Sequence, residues 1–248
     1  MEIGLKKENY VFYDTKAELS GAHEEVYETI VPDALPDILS ITDSYGLVLV
    51  SSRELREERA DISGQIRASV MYSSESGSCE HISLQIPFSH SFEINGGEGC
   101  VLMGGAELQS IDTRTINPRK IIVRASVRVW AKIIEPKSFE LCSGLAEDNS
   151  SVQILTEKYS ATLPCAAGRR SFTIEDRLEL PATRPPAARI LRYSCNMPVS
   201  DYSVIGRKVV FKGIFVLKIL YMSHDGEFLT HTAEIPFSQI ADLDGLED

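Results

Sequence analysis

Tryptophan is almost missing: Trp130 is the single one in 248 residues. No strand-like stretch carries a row of aromatic side chains on one face, which weighs against a glycan-binding groove. Long apolar runs are missing too. None approaches the roughly 20 residues that a membrane helix needs. The opening Met1–Lys7 lacks the apolar core of a signal peptide, so the chain reads as intracellular and cytoplasmic. Basic residues are outnumbered, 25 against 36 acidic ones, for a net charge of −11. That balance argues against sequence-independent nucleic-acid binding, which displaces counterions with Lys and Arg.

Chemistry-bearing motifs are equally scarce. There is no nucleophile elbow, and Gly96-Gly97-Glu98-Gly99 is followed by no Lys-Ser/Thr pair that would make a phosphate loop. The five cysteines (79, 100, 142, 165 and 195) are odd in number and form no CxxC pair. They read as reduced packing residues. Cys79 and His81 could begin a zinc site, but no second pair with zinc spacing follows. The reading is therefore of a non-enzyme: no catalytic residues, no metal ligands and no cofactor.

What the chain does contain is a repeat. An ungapped shift of 149 positions lays Val31–Ser89 on Leu180–Ser238 with 13 identities in 59 positions. Chance gives about 3 or 4 at roughly 6% per position. The matches include Pro32/Pro181, Pro36/Pro185, Gly64/Gly213, Tyr72/Tyr221 and the whole run Ile86-Pro87-Phe88-Ser89. Asp248 falls on Gly99, so nothing matches Cys100–Glu135. The expected organisation is a first unit over 1–150 with an N-terminal extension, then a connector and a truncated second unit over 151–248.

Period-two patterns dominate and predict half-buried strands. Ile62, Ile66, Ala68, Val70 and Tyr72 share one face, and Phe211, Phe215, Leu217, Ile219 and Tyr221 repeat that parity. Gly64 and Gly213 sit on the same inward face, where a bulge or close packing is expected. Pro87 and Pro236 interrupt the next strand and mark an edge, a bulge or a strand end. The clearest strand is Ile121–Ile134, with Val123 to Ile133 facing inward at alternate positions. Trp130 on its other face reads as a cover over Arg and Lys stems. Short helices are expected over Asp33–Thr42 and Arg184–Tyr193, with Asp33 and Asp37 at a helix N-terminus. The fold class is mainly β: tandem antiparallel sandwich- or barrel-like units with one or two short helices.

Charge is uneven. Met1–Ala60 carries 6 basic and 13 acidic residues, whereas Arg184–Leu220 carries 7 basic and one acid. Such asymmetry can steer units against each other or against a partner.

Val31-Pro32-Asp33-Ala34-Leu35-Pro36-Asp37-Ile38-Leu39 resembles the opening of SPOCS domains, found in spore-coat proteins of endospore-forming bacteria and associated with LysM domains. Val70-Met71-Tyr72, Ile86–Ser89 and Asn117-Pro118-Arg119-Lys120-Ile121 follow in the matching order. The resemblance implies a protein-interaction role in spore-coat assembly, in the mother-cell cytoplasm at the forespore surface. It implies coat morphogenetic proteins as partners, and self-association is open. Neither nucleic acid nor membrane insertion is expected. The motif residues are Pro32, Asp33, Pro36, Asp37, Gly64, Tyr72, Pro87, Phe88, Asn117, Pro118, Arg119 and Lys120, read as structural. A carbohydrate- or peptidoglycan-binding β domain is the alternative. Asn117 is expected to cap its turn, with Arg119 and Lys120 partly exposed and removable at little cost in stability. The open second unit needs a cover: a strand from Tyr10–Leu19, a second chain, or the connector around Ser150–Ala161.

Overall fold

The computed structural model describes residues 4–94, 96–146, 155, 157 and 159–243. Among them there are ten strands and no helix. They are β1 (Leu5–Ile30), β2 (Ile38–Leu55), β3 (Arg59–Ser74), β4 (Cys79–Glu93), β5 (Val101–Asn117), β6 (Lys120–Leu145), β7 (Ala187–Asn196), β8 (Val199–Ile205), β9 (Lys208–Ser223) and β10 (Phe228–Asp242). All pairings are antiparallel. One sheet has the order β1-β6-β5 and a second has β2-β3-β4. The third has β10-β9-β7, with β8 also on β9.

The first two sheets form a sandwich. Ile62, Ile66, Val70 and Tyr72 of β3 and Ile121, Val123, Val127, Val129 and Ile133 of β6 share one core and are fully buried. Each such side chain contributes about 1.5–3 kcal/mol. β2 also lies against β5, where Arg53 Nε donates to the Gly104 carbonyl at 2.6 Å.

The third sheet repeats the second residue for residue. β9 and β10 begin and end 149 positions after β3 and β4, and β7 plus β8 take the place of β2. Both hairpin turns place glycine at positive φ, 81° at Gly77 and 83° at Gly226, which favours that residue type. Gly64 faces a bulge between Val50 and Ser52, and a Cβ there would lie 2.1 Å from the Leu49 carbonyl oxygen. At Gly213 the same close approach comes from Pro198, in the break between β7 and β8.

Three expectations need correction. The two short helices are turns running into β2 and β7. Pro32 and Pro36, like Pro181, Pro185 and Pro186, lack the N–H that helices need and disfavour helical geometry in the residue before them. Instead Leu35 N donates to the Pro32 carbonyl at 2.9 Å, and Arg184 N to the Pro181 carbonyl at 2.8 Å. Tyr10–Leu19 does not complete the second unit, because β1 pairs along its length with β6. Trp130 lies over Gly105 across the strand pair, where a Cβ would sit 2.8 Å from its indole nitrogen, and borders one surface depression with Arg128 and Lys132. Finally, Cys79 and Cys100 are half-buried, but Cys142, Cys165 and Cys195 are exposed and do no packing. Most of Ser150–Ala161 lies outside the described residues. No described helix is long and apolar enough to cross a membrane.

Candidate functional site

Nine of the twelve motif residues gather at one corner of the sandwich, around Arg119. The turn between β5 and β6 is set by Asn117, whose Oδ1 accepts from Arg119 N at 2.9 Å, so the expected side-chain cap is present. Pro118 supplies the fixed φ of a tight turn. The turn then docks on the loop between β1 and β2. Ile38 N donates to the Pro118 carbonyl at 2.9 Å, and Val31 N to the Arg119 carbonyl at 2.8 Å.

The Arg119 side chain closes the assembly. Nη1 donates to the Leu35 carbonyl at 2.7 Å and to Asp37 Oδ1 at 3.1 Å. Nη2 donates to the Val31 carbonyl at 3.0 Å, the Pro32 carbonyl at 3.1 Å and Asp33 Oδ1 at 3.4 Å. A guanidinium offers five donors in a rigid fork, which suits such a cluster of acceptors. From below, the Tyr72 hydroxyl donates to the Pro36 carbonyl at 2.9 Å, and burial pushes its pKa above the usual tyrosine value. Asp33 and Asp37 therefore serve a loop clamp, not a helix end. Arg119 and Lys120 are partly exposed, as expected, and the five acceptors that Arg119 binds argue against its removal at little cost. Lys120 pairs with Glu28 on β1.

Gly64, Pro87 and Phe88 lie apart from this corner. Gly64 pairs with Phe88 and Gln65 with Pro87 in the β3–β4 ladder, and β4 is a sheet edge, where proline is tolerated. Phe88 is buried in the core. Cys79 and His81 are on the same strand. Among the described residues no group of three or more His, Cys, Asp or Glu side chains is placed to hold a metal.

A second cluster escaped the sequence reading, between the outer face of β3–β4 and strand β7. Arg189 pairs with Glu80 at 2.7 Å and Arg192 with Asp43 at 2.9 Å. Arg192 also lies over the Tyr45 ring at 5.3 Å. Arg67 Nη1 donates to the Tyr193 hydroxyl at 2.8 Å, and Ser69 Oγ to the Leu191 carbonyl at 2.6 Å. Leu191 is buried there. The signal available in advance was the charge asymmetry, since Asp43 and Arg192 occupy the same position in the two copies. These residues border a cleft of about 420 Å³ that Leu84 and Ile190 also line.

The second copy reproduces the loop. The Tyr221 hydroxyl donates to the Pro185 carbonyl at 3.3 Å, as Tyr72 does to Pro36. Ala182 and Pro186 stand where the first copy has Asp33 and Asp37.

A protein-family model described as SipL, SPOCS domain, matches residues 37–116 and 186–248. No curated protein and no solved structure matches the chain. The family match covers more than half of the chain, which therefore belongs to the SPOCS-domain family. The first matched span stops at Ile116, one residue before the turn that carries Arg119.

Proposed function

We propose that this SPOCS-domain chain is a non-enzymatic interaction module of spore-envelope assembly, acting through protein partners of the coat. The observation that carries the reading is the use made of the motif's only paired carboxylates. Asp33 and Asp37 are held by Arg119, so they shape a loop and are not free for acid–base work. Family membership and the tandem arrangement support the same reading. Two β units joined through ion pairs present large sheet faces for other chains. The setting implied by the family resemblance is the mother-cell cytoplasm at the forespore surface.

The test is localisation in a sporulating endospore-former. A fluorescently tagged chain should form a ring around the forespore, and Arg119→Ala should weaken it. Diffuse fluorescence at all stages would overturn the proposal. Calorimetric titration with peptidoglycan fragments should give no heat of binding; a saturable signal would favour the carbohydrate reading.

A further inference from the structure

The seam between the two copies is made by equivalent strands. β2 and β7 hold the same place in the repeat, and each is the end strand of its sheet. Asp43 and Arg192 occupy the same position of the two copies, and they meet across the seam at 2.9 Å. A residue that meets its own equivalent sits beside a local two-fold axis, the arrangement of an isologous dimer. The clefts on either side agree. In one, of about 420 Å³, β7 lies along the first copy at Ser69, His81 and Ser83. In the other, of about 370 Å³, Tyr45 of β2 lies against Lys218, Thr230 and Thr232, the equivalents of those three residues. Every strand that makes these contacts is present in both copies.

The side chains at the seam differ between the copies in a way that only unlike pairing satisfies. Arg192 pairs with Asp43, Arg189 pairs with Glu80 at 2.7 Å, and Arg67 donates to the Tyr193 hydroxyl at 2.8 Å. Each contact takes one residue from each copy. Two first copies joined by this geometry would set Asp43 against Asp43, Glu80 against Ser40 and Arg67 against Ser44. Two second copies would set Arg192 against Arg192, Arg189 against Leu229 and Tyr193 against Val216. Like charges at the axis repel, and the remaining contacts are lost. We propose that positions 43, 67, 80, 189, 192 and 193 form a pairing code, by which a first unit accepts a second unit and rejects another first unit. The partner that this surface fits, besides the unit in the same chain, is the second unit of another copy of the chain. The connector between Leu145 and Ala187 holds the two units of one chain at an effective concentration in the millimolar range, so pairing within the chain prevails. The inference stands on the repeat alone, so forespore localisation neither supports nor removes it.

The test mixes two variants of the whole chain with opposite faults. D43R sets like positive charges at the axis, and R192D sets like negative ones. Each alone should stay monomeric and exchange amide hydrogens faster at residues 189–193, by about fivefold. Mixed in equal amounts at about 1 mM, comparable to the concentration that the connector supplies, they should form a 1:1 heterodimer by light scattering. Exchange at 189–193 should then return to the parental rate, because each second unit meets an opposite charge on the other chain. A single chain carrying both substitutions should be a monomer with parental exchange, which separates a lost contact from a lost fold. Four results would overturn the proposal. One is parental exchange in either single variant, which means that the charges do not decide pairing. Another is a single variant that dimerises alone as readily as in the mixture, which means that like units pair. A third is a mixture that stays monomeric, and the last is a double variant as open as the single ones.

Discussion

Arg119→Ala is the sharpest test of how the first unit is held together. The substitution removes five hydrogen bonds and leaves three loop carbonyls, at Val31, Pro32 and Leu35, without their donor. A hydrogen bond to a charged group is worth about 1.5–3 kcal/mol net. That figure cannot be multiplied by five. The two carboxylates are well exposed, with Asp33 fully in solvent, so those ion pairs add little. Water can also reach the freed carbonyls in part, since Arg119 itself is about a third exposed. Two effective bonds' worth, about 2–4 kcal/mol, is the reasoned loss. For a unit of this size that lowers Tm by about 4–15 °C. Urea and thermal unfolding of Arg119→Ala, Arg119→Lys and Lys120→Ala would separate the contributions. Lysine keeps the charge but not the fork, so it should recover less than half of the loss. Lys120→Ala breaks one exposed pair and should cost under about 1 kcal/mol. An Arg119→Ala loss below about 0.5 kcal/mol would refute the clamp and restore the reading of this residue as surface decoration.

The two buried tyrosines should differ: Tyr72→Phe should cost about 1 kcal/mol and Tyr221→Phe less, since its hydroxyl is 3.3 Å from its acceptor against 2.9 Å; equal losses would contradict this. Tyr72→Ala should cost about 3–5 kcal/mol by cavity formation, measured by urea unfolding. Burial holds His81 and His90 below the ordinary histidine pKa, with Arg189 and His23 respectively adding to the effect. Folding then favours the neutral rings, so stability is full above about pH 6.5 and falls as the solution is acidified towards pH 5. Replacing both with Gln should flatten that slope; an unchanged slope would assign it to other groups. Asp43→Arg and Arg192→Asp should each loosen β7 from the first unit, seen as faster exchange at residues 189–193, and the double swap should restore protection.

Strand positions were legible because period-two patterning and the repeat report the same thing twice. An inward parity found at Ile62–Tyr72 and again at Phe211–Tyr221 leaves little freedom for register. The glycine pair at 64 and 213 was legible for a similar reason, since a missing side chain on a buried face signals a close backbone. The failures came where a side chain acts over a long sequence separation. Arg119 binds residues 82 to 88 positions away, and no local pattern announces that. The helices failed because a first-turn proline and flanking acids suit a helix start as well as a proline turn. What decides is Ile38 N reaching the Pro118 carbonyl, a contact made only once the sandwich exists. The contact cluster at β7 left only a trace, as charge asymmetry, because ion-pair partners are chosen by tertiary geometry.

The substitutions in the second loop follow from which of Arg119's acceptors are side chains. The backbone acceptors depend on loop shape, and the residues that set it are kept as Pro181, Pro185 and Tyr221. The two carboxylates change to Ala182 and Pro186. Such a loop keeps its carbonyl geometry and offers neutral acceptors alone. Hydrogen bonds of that kind are individually modest once desolvation is counted. In the first copy the clamp joins parts of one folded unit, where the intramolecular linkage already brings the groups together. Replacing the acids of the first loop by Asp33→Ala and Asp37→Ala should therefore cost much less stability in urea unfolding than Arg119→Ala, because both carboxylates are well exposed. That small loss should shrink further at high salt as the charges are screened. If the double variant loses as much as Arg119→Ala, the carboxylates carry the clamp and the carbonyls are incidental to it.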